Sequence, residues 1–282
     1  MKIIECPRDA IQGIKEFIPT DKKIEYINQL LKIGFDTIDF GSFVSPKIIP
    51  QLKDTAKVIE ALNLQNTNTK LLSIIANFKG AQLAKEFDSI DYLGFPLSVS
   101  EVFQKANTNK TITDAIIEVE RINGLAINYR KKLVVYISMA FGNPYNEFYD
   151  VDLVVNLTEK LNELGVETIA LSDTTGVSIS KDISLLFSTL IKQYPKIEFG
   201  AHFHSRNDNW IDKIESAYNS GCRRFDSTIN GYGGCPMADD KLVGNISTEN
   251  LYSYLKSKGE KIDLNTDIFK NLSQNFYNLI KS

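Results

Sequence analysis

The chain has 282 residues, 43% hydrophobic and 24% charged, with a formal net charge of −3. This composition excludes a disordered chain, a collagen and a coiled coil, and the charge carries no nucleic-acid footprint. No apolar run approaches the roughly 18 residues of a membrane span, so neither nucleic acid nor membrane is expected as a partner.

Strand-like runs recur along the chain. The first is Lys2–Cys6, followed by Thr37–Phe43, Leu71–Ala76, Ile90–Phe95, Lys132–Phe141, Thr168–Leu171, Ile197–His204 and Arg224–Ile229. Segments with apolar residues at helical spacing lie between them. Asp21–Ile33 carries Ile24, Ile27, Leu30 and Leu31 on one face, with Gly34 placed as a C-cap. Val151–Leu164, Ser180–Tyr194 and Trp210–Asn219 repeat the pattern, the first and last of them leading to Gly165 and Gly221. Asp263–Lys281 reads as one additional C-terminal amphipathic helix. Eight strands with crossover helices imply an α/β protein, a (β/α)8 TIM barrel, with residues 1–282 forming a single domain. An open doubly wound sheet is the alternative. A barrel of this kind places its chemistry at the C-terminal strand ends.

The three cysteines, Cys6, Cys222 and Cys235, are too few and too scattered for a disulfide framework. A reducing compartment follows. With no leader-like segment before the first strand, a cytoplasmic location is expected.

The chain has two histidines, His202 and His204, one residue apart. Positions i and i+2 of a strand face the same side, so both imidazoles point into the barrel mouth. The pair reads as a metal platform, or else as structural histidines hydrogen-bonded in the core. Asp9 after the first strand, Asp173 at the end of the sixth and Asn245 after the eighth are the oxygen donors within reach. A mixed nitrogen and oxygen set suits Mg²⁺ or Mn²⁺, with Zn²⁺, Co²⁺ and Fe²⁺ also compatible. Asp173-Thr174 reads equally as the cap of the next helix.

Five motifs occur in order near strand ends: Arg8-Asp9-Ala10-Ile11-Gln12, Ser42-Phe43-Val44-Ser45-Pro46-Lys47, Asp173-Thr174-Thr175-Gly176, His202-Phe203-His204 and Gly233-Gly234-Cys235-Pro236. Together they resemble the 3-hydroxy-3-methylglutaryl-CoA (HMG-CoA) lyase family, within the metal-dependent lyase and Claisen-condensing barrel superfamily. The likeness runs from about residue 2 to about residue 255. It implies Asp9, His202, His204 and Asn245 as ligands of a divalent cation. It implies Arg8, Cys235, Asp173 and Asp39 as catalytic, Lys15 near the CoA phosphates, and Gln12, Ser42 and Thr174 around the substrate. It further implies an acyl-CoA substrate, a homodimer, and a place in leucine degradation and ketone-body metabolism. The chain departs from the family in four places: Ala10 stands for a glycine, Asp39 for a glutamate and Asn143 for a frequent cysteine, and Asn245 lies one residue further from Cys235. These changes bear on the substrate rather than on the reaction type.

The implied chemistry splits a 3-hydroxyacyl thioester between C2 and C3. A divalent cation would stabilise charge on the C3 oxygen, Arg8 charge on the enolate oxygen, and the Cys235 thiol would protonate the enolate carbon from a mobile glycine-rich loop. Cys6 and Cys222 read as ordinary small apolar residues, and that reading is open for Cys235 as well. Arg8 and Asp9 are adjacent, so both reach one site only if the chain turns there, which Pro7 favours. Ser42 and Ser45 either bind substrate or cap a turn, and Lys15 is either a phosphate partner or a surface charge. The alternatives to an HMG-CoA lyase are a condensing synthase of the citramalate, isopropylmalate or homocitrate type, a lyase for an analogous 3-hydroxyacyl-CoA, a zinc hydrolase, and a barrel that binds metal without catalysis.

Overall fold

The computed structural model describes residues 1–233 and 243–280. In chain order the elements are β1 (Lys2–Glu5), α1 (Pro7–Gln12), α2 (Thr20–Leu30), β2 (Thr37–Ser42), α3 (Thr55–Glu60), β3 (Lys70–Ile74), α4 (Phe78–Ala84), β4 (Tyr92–Ser98), α5 (Glu101–Thr108) and α6 (Ile112–Asn128). They continue with β5 (Lys132–Ser138), α7 (Val151–Glu163), β6 (Thr168–Asp173), α8 (Ser180–Gln193), β7 (Glu198–Ser205), α9 (Trp210–Asn219), β8 (Arg224–Ser227), β9 (Gly244–Asn245), α10 (Thr248–Ser257) and α11 (Thr266–Ile280). Strands β1 to β8 pair in parallel with their neighbours, and β1–β8 pairing closes the ring into a (β/α)8 barrel. The eight strands coincide with the eight apolar runs, and α11 is the additional C-terminal helix. Among the described residues, no helix is long and apolar enough to cross a membrane.

Local chemistry explains where the strand ends differ from the apolar runs. β5 stops at Ser138 rather than Phe141 because Met139 turns to a φ of 58°, a left-handed value that ends a strand. β4 runs on through Pro96 to Ser98. Its pairing with β3 stops at Gly94, so the N–H that proline lacks is not needed on that side. β6 extends to Asp173, paired with Phe203 of β7.

The main core lies between the strands' outer faces and the helices, with residues such as Phe187, Leu190 and Phe203 buried there. A smaller cluster of Leu72, Val134, Tyr136 and Ala170 fills the barrel interior. At the mouth, α1 begins one residue after β1. Pro7 holds its first position with a φ suited to a helix, and the Ala10 amide closes the first turn on the Cys6 carbonyl 3.1 Å away. This turn is what brings the adjacent Arg8 and Asp9 to one site. The two-residue strand β9 runs antiparallel to β7 and sets Asn245 opposite His204.

Candidate active site

A cleft of about 420 Å³ opens at the C-terminal ends of the strands. Arg8, Asp9, Gln12, Thr174, His202 and His204 line one side. Val44, Ile48, Ile49, Ile74, Pro96 and Phe103 form an apolar wall across the mouth. Register places the polar set: His202 pairs with Ser172 and Phe203 with Asp173, so His202 and His204 face inward while Phe203 packs outward.

The imidazoles are held from behind. His204 Nδ1 lies 2.9 Å from the Thr174 carbonyl, and His202 Nδ1 lies 3.1 Å from Asp226 Oδ2. A carbonyl can only accept, so His204 Nδ1 carries the proton and Nε2 keeps its lone pair. That Nε2 is buried with no hydrogen-bond partner among the described residues. His202 Nε2 lies 3.9 Å from Asp9 Oδ2. One ligand atom each from Asp9, His202 and His204 lies within 4.8 Å of the others. Two imidazole nitrogens, a carboxylate and the neighbouring Asn245 amide fit a divalent cation, and the partnerless Nε2 has the lone pair that such an ion would take. Cys6, His202 and Asp226 also approach one another. There the His202 nitrogen is already bonded to Asp226, and burial, with Asp226 and Asp39, pushes the Cys6 thiol well up, so this set is a poor ion site.

Charge is balanced around the cluster. Burial opposes ionisation of Asp9, yet Arg8, His202, His204 and Asn245 outweigh it and hold the carboxyl below its usual range. Arg8 Nη1 and Gln12 Nε2 both donate to Asp9 Oδ1, and Asn245 Nδ2 donates to Oδ2 at 2.9 Å. Burial also opposes charge on Arg8, but Asp39 and Asp9 keep it cationic. Burial pushes Asp39 up to about 6, against the pull of Arg8. Burial likewise works against charge on His202, but the Asp226 bond and carboxylate raise it above the usual imidazole range. Burial and His202 push His204 down.

The remaining residues expected at the site are placed as follows. Asp39 is buried beneath Arg8 and does not line the cleft. Thr174 lines it, with its hydroxyl accepting from the Met139 amide. Ser42 lies outside the lining, where its hydroxyl accepts from the Val44 amide, and Ser45 accepts likewise from Lys47. Lys15 is exposed in the loop after α1, also outside the lining. Asp173 points outward to Lys213 and to the Val177 and Ser178 amides. Asn143 binds the Tyr145 and Glu147 amides and so shapes its own loop. Cys235 lies outside the described residues. Sequence reasoning missed Asp226 and the apolar wall. Asp226 carried a signal, since it stands on an apolar strand run, where a carboxylate needs a partner.

A family model described as HMGL-like matches residues 2–275. The chain is 29% identical over 262 residues to the hydroxymethylglutaryl-CoA lyase of Bacillus subtilis, covering 93% of this chain and 85% of that protein. It is 28% identical over 266 residues to the (R)-citramalyl-CoA lyase of Chloroflexus aurantiacus, covering 90% of this chain and 82% of that protein. A solved HMG-CoA lyase from Acinetobacter baumannii, in complex with coenzyme A and 3-methylmalate, superposes with a TM-score of 0.91 at 31% identity, covering 99% of this chain and 91% of that one. With the barrel and its cleft, these matches make the chain a member of the HMGL-like family and a carbon–carbon lyase.

Proposed function

We propose that the chain cleaves 3-hydroxy-3-methylglutaryl-CoA to acetyl-CoA and acetoacetate, using a divalent cation held by Asp9, His202, His204 and Asn245. The convergence of Asp9, His202 and His204 beside Arg8, in a chain of this family, carries the reading. Mg²⁺ or Mn²⁺ suits the mixed nitrogen and oxygen donors. When bound, the ion supplies positive charge that makes the substrate's C3 hydroxyl more acidic.

The chain's own residues do the rest. Transfer of the C3 hydroxyl proton to Asp9 or to a water at the site lets the C2–C3 bond break, with C3 becoming a ketone and the electron pair passing to C2 as a thioester enolate. Four of the five Arg8 N–H donors are taken, by Asp9, Gln12 and twice by Asp39. The fifth, on Nη2, has no partner among the described residues and can meet the enolate oxygen where charge develops. Asp39 keeps the guanidinium from swinging away, so the donor is in place before charge appears. The apolar wall excludes water from the enolate. Cys235 is the proposed acid that protonates C2, Lys15 the partner of the CoA phosphates, and Gln12 and Thr174 the residues around the acyl group, with Ser42 holding the Val44 amide of the cleft wall. Asp173 serves from behind the site. A homodimer in the cytoplasm, working in leucine degradation and ketone-body metabolism, completes the reading.

Purified protein incubated with this thioester and Mg²⁺ or Mn²⁺ tests the proposal. Acetoacetate supports it, and none with either metal rejects the substrate. The citramalyl-CoA lyase relative favours one second reading, a related 3-hydroxyacyl thioester cleaved by the same step. Pyruvate released from citramalyl-CoA would identify it.

A further inference from the structure

Lys213 sits on α9, behind the barrel wall, and its side chain is only 2% exposed. A buried ammonium is costly unless each of its three N–H donors is satisfied. Here each one is. Nζ donates to Asp173 Oδ2 at 2.5 Å, to the Gly176 carbonyl at 2.8 Å and to the His204 carbonyl at 2.9 Å. The three acceptors come from the end of β6, the turn after it, and β7.

The same turn sets the His204 ring. Asp173 accepts from the Val177 and Ser178 amides at 3.0 and 3.1 Å and from the Ser178 hydroxyl at 2.5 Å. Gly176, at a φ of 70°, lets the turn fold back, and its amide donates to the Asp173 carbonyl. The turn thereby presents the Thr174 carbonyl that receives His204 Nδ1. Lys213 thus grips both the backbone of His204 and the turn that orients its imidazole. The gripped backbone is also where β9 pairs and brings in Asn245.

We propose that Lys213 is a positioning residue, which with Asp173 fixes the His204 ring and the β7–β9 register for cation binding. Asp173 then acts through this brace rather than by touching substrate. The proposal rests on the reading of His204 as a cation ligand. Partners of this kind behind a ligand typically change metal affinity by about 10- to 100-fold when lost.

The test is calorimetric titration of metal-depleted protein with Mn²⁺. Wild-type protein that does not bind Mn²⁺ defeats the ligand reading itself. Given wild-type binding, Lys213→Met is expected to weaken it by about tenfold or more. Lys213→Met with Asp173→Asn removes both charges together, so no buried carboxylate is left unpaired. The brace predicts that this pair also binds about tenfold more weakly. Wild-type affinity in the double variant would overturn the proposal, because the pair would then only balance charge. Hydrogen exchange on the wild-type chain needs no variant to fold. Mn²⁺ is expected to slow exchange along Trp210–Asn219, and unchanged exchange there overturns the proposal.

Discussion

Arg8 is tied to Asp39 through a single carboxylate oxygen: Oδ2 accepts from Nη2 at 2.5 Å and from Nε at 2.9 Å. The other oxygen, Oδ1, is buried without a hydrogen-bond partner among the described residues. Asp39 therefore serves as an anchor for the guanidinium, and the two residues are expected to fail together. Arg8→Gln should lower kcat by about 10²- to 10³-fold, the usual effect of losing one charge-stabilising donor. Asp39→Ala frees Nε and half of Nη2, and should lower kcat by about tenfold through misplacement. Steady-state kinetics with the thioester checks both, and a wild-type kcat in Asp39→Ala would remove the anchor from the account.

Gly233 packs on the backbone of a proposed ligand. Its φ is +91°, and a Cβ there would lie 2.5 Å from the Asp9 carbonyl oxygen. Gly233→Ala must shift Asp9 or itself, at a cost of about 1–3 kcal/mol. Weaker Mn²⁺ binding and a lower Tm are both expected. A variant with unchanged values of both would show that this contact does not constrain Asp9.

The barrel interior holds a second tight fit. Arg224 is fully buried, its three guanidinium nitrogens have no hydrogen-bond partner among the described residues, and its stem lies across Gly200. A Cβ at Gly200 would come within 2.9 Å of Arg224 Cδ. Gly200→Ala should destabilise the fold by about 1–3 kcal/mol through overpacking. Shortening the neighbour in Gly200→Ala/Arg224→Val should restore the urea midpoint. No recovery in that pair would place the strain elsewhere.

Glu5 makes the fold sensitive to pH. Burial pushes its carboxyl from 4.5 up to about 8, although the Thr248 hydroxyl and Ile229 amide bond to it. Between those values the unfolded chain has lost a proton that the folded chain keeps. Glu5 therefore contributes most to stability below about 4.5, and that contribution falls away as pH rises to about 8. Glu5→Gln cannot titrate, so its Tm relative to wild type should improve from pH 5 to pH 8. A difference that stays constant with pH would contradict the assignment.

The barrel was legible in the sequence because a strand buried on both faces reads as an apolar run, and all eight such runs became strands. Their ends were not, because Pro96 looks like a breaker and Met139 does not. The six-residue α1 is too short for helical periodicity, and only Pro7 hinted at the turn that brings Arg8 and Asp9 together. The His202 and His204 pair was visible from strand parity alone. Lys213 was not, since a lysine in an amphipathic helix ordinarily reads as surface, and its partners lie 9 to 40 residues away in sequence. The two-residue β9, which sets Asn245 against His204, has no periodicity to detect.

The most direct test of the account is anomalous diffraction from a crystal of the wild-type protein grown with Mn²⁺. The account predicts one strong peak within coordination distance of a carboxylate oxygen of Asp9, both Nε2 atoms of His202 and His204, and the amide oxygen of Asn245. A Mn²⁺ peak elsewhere with that cluster left bare would contradict it.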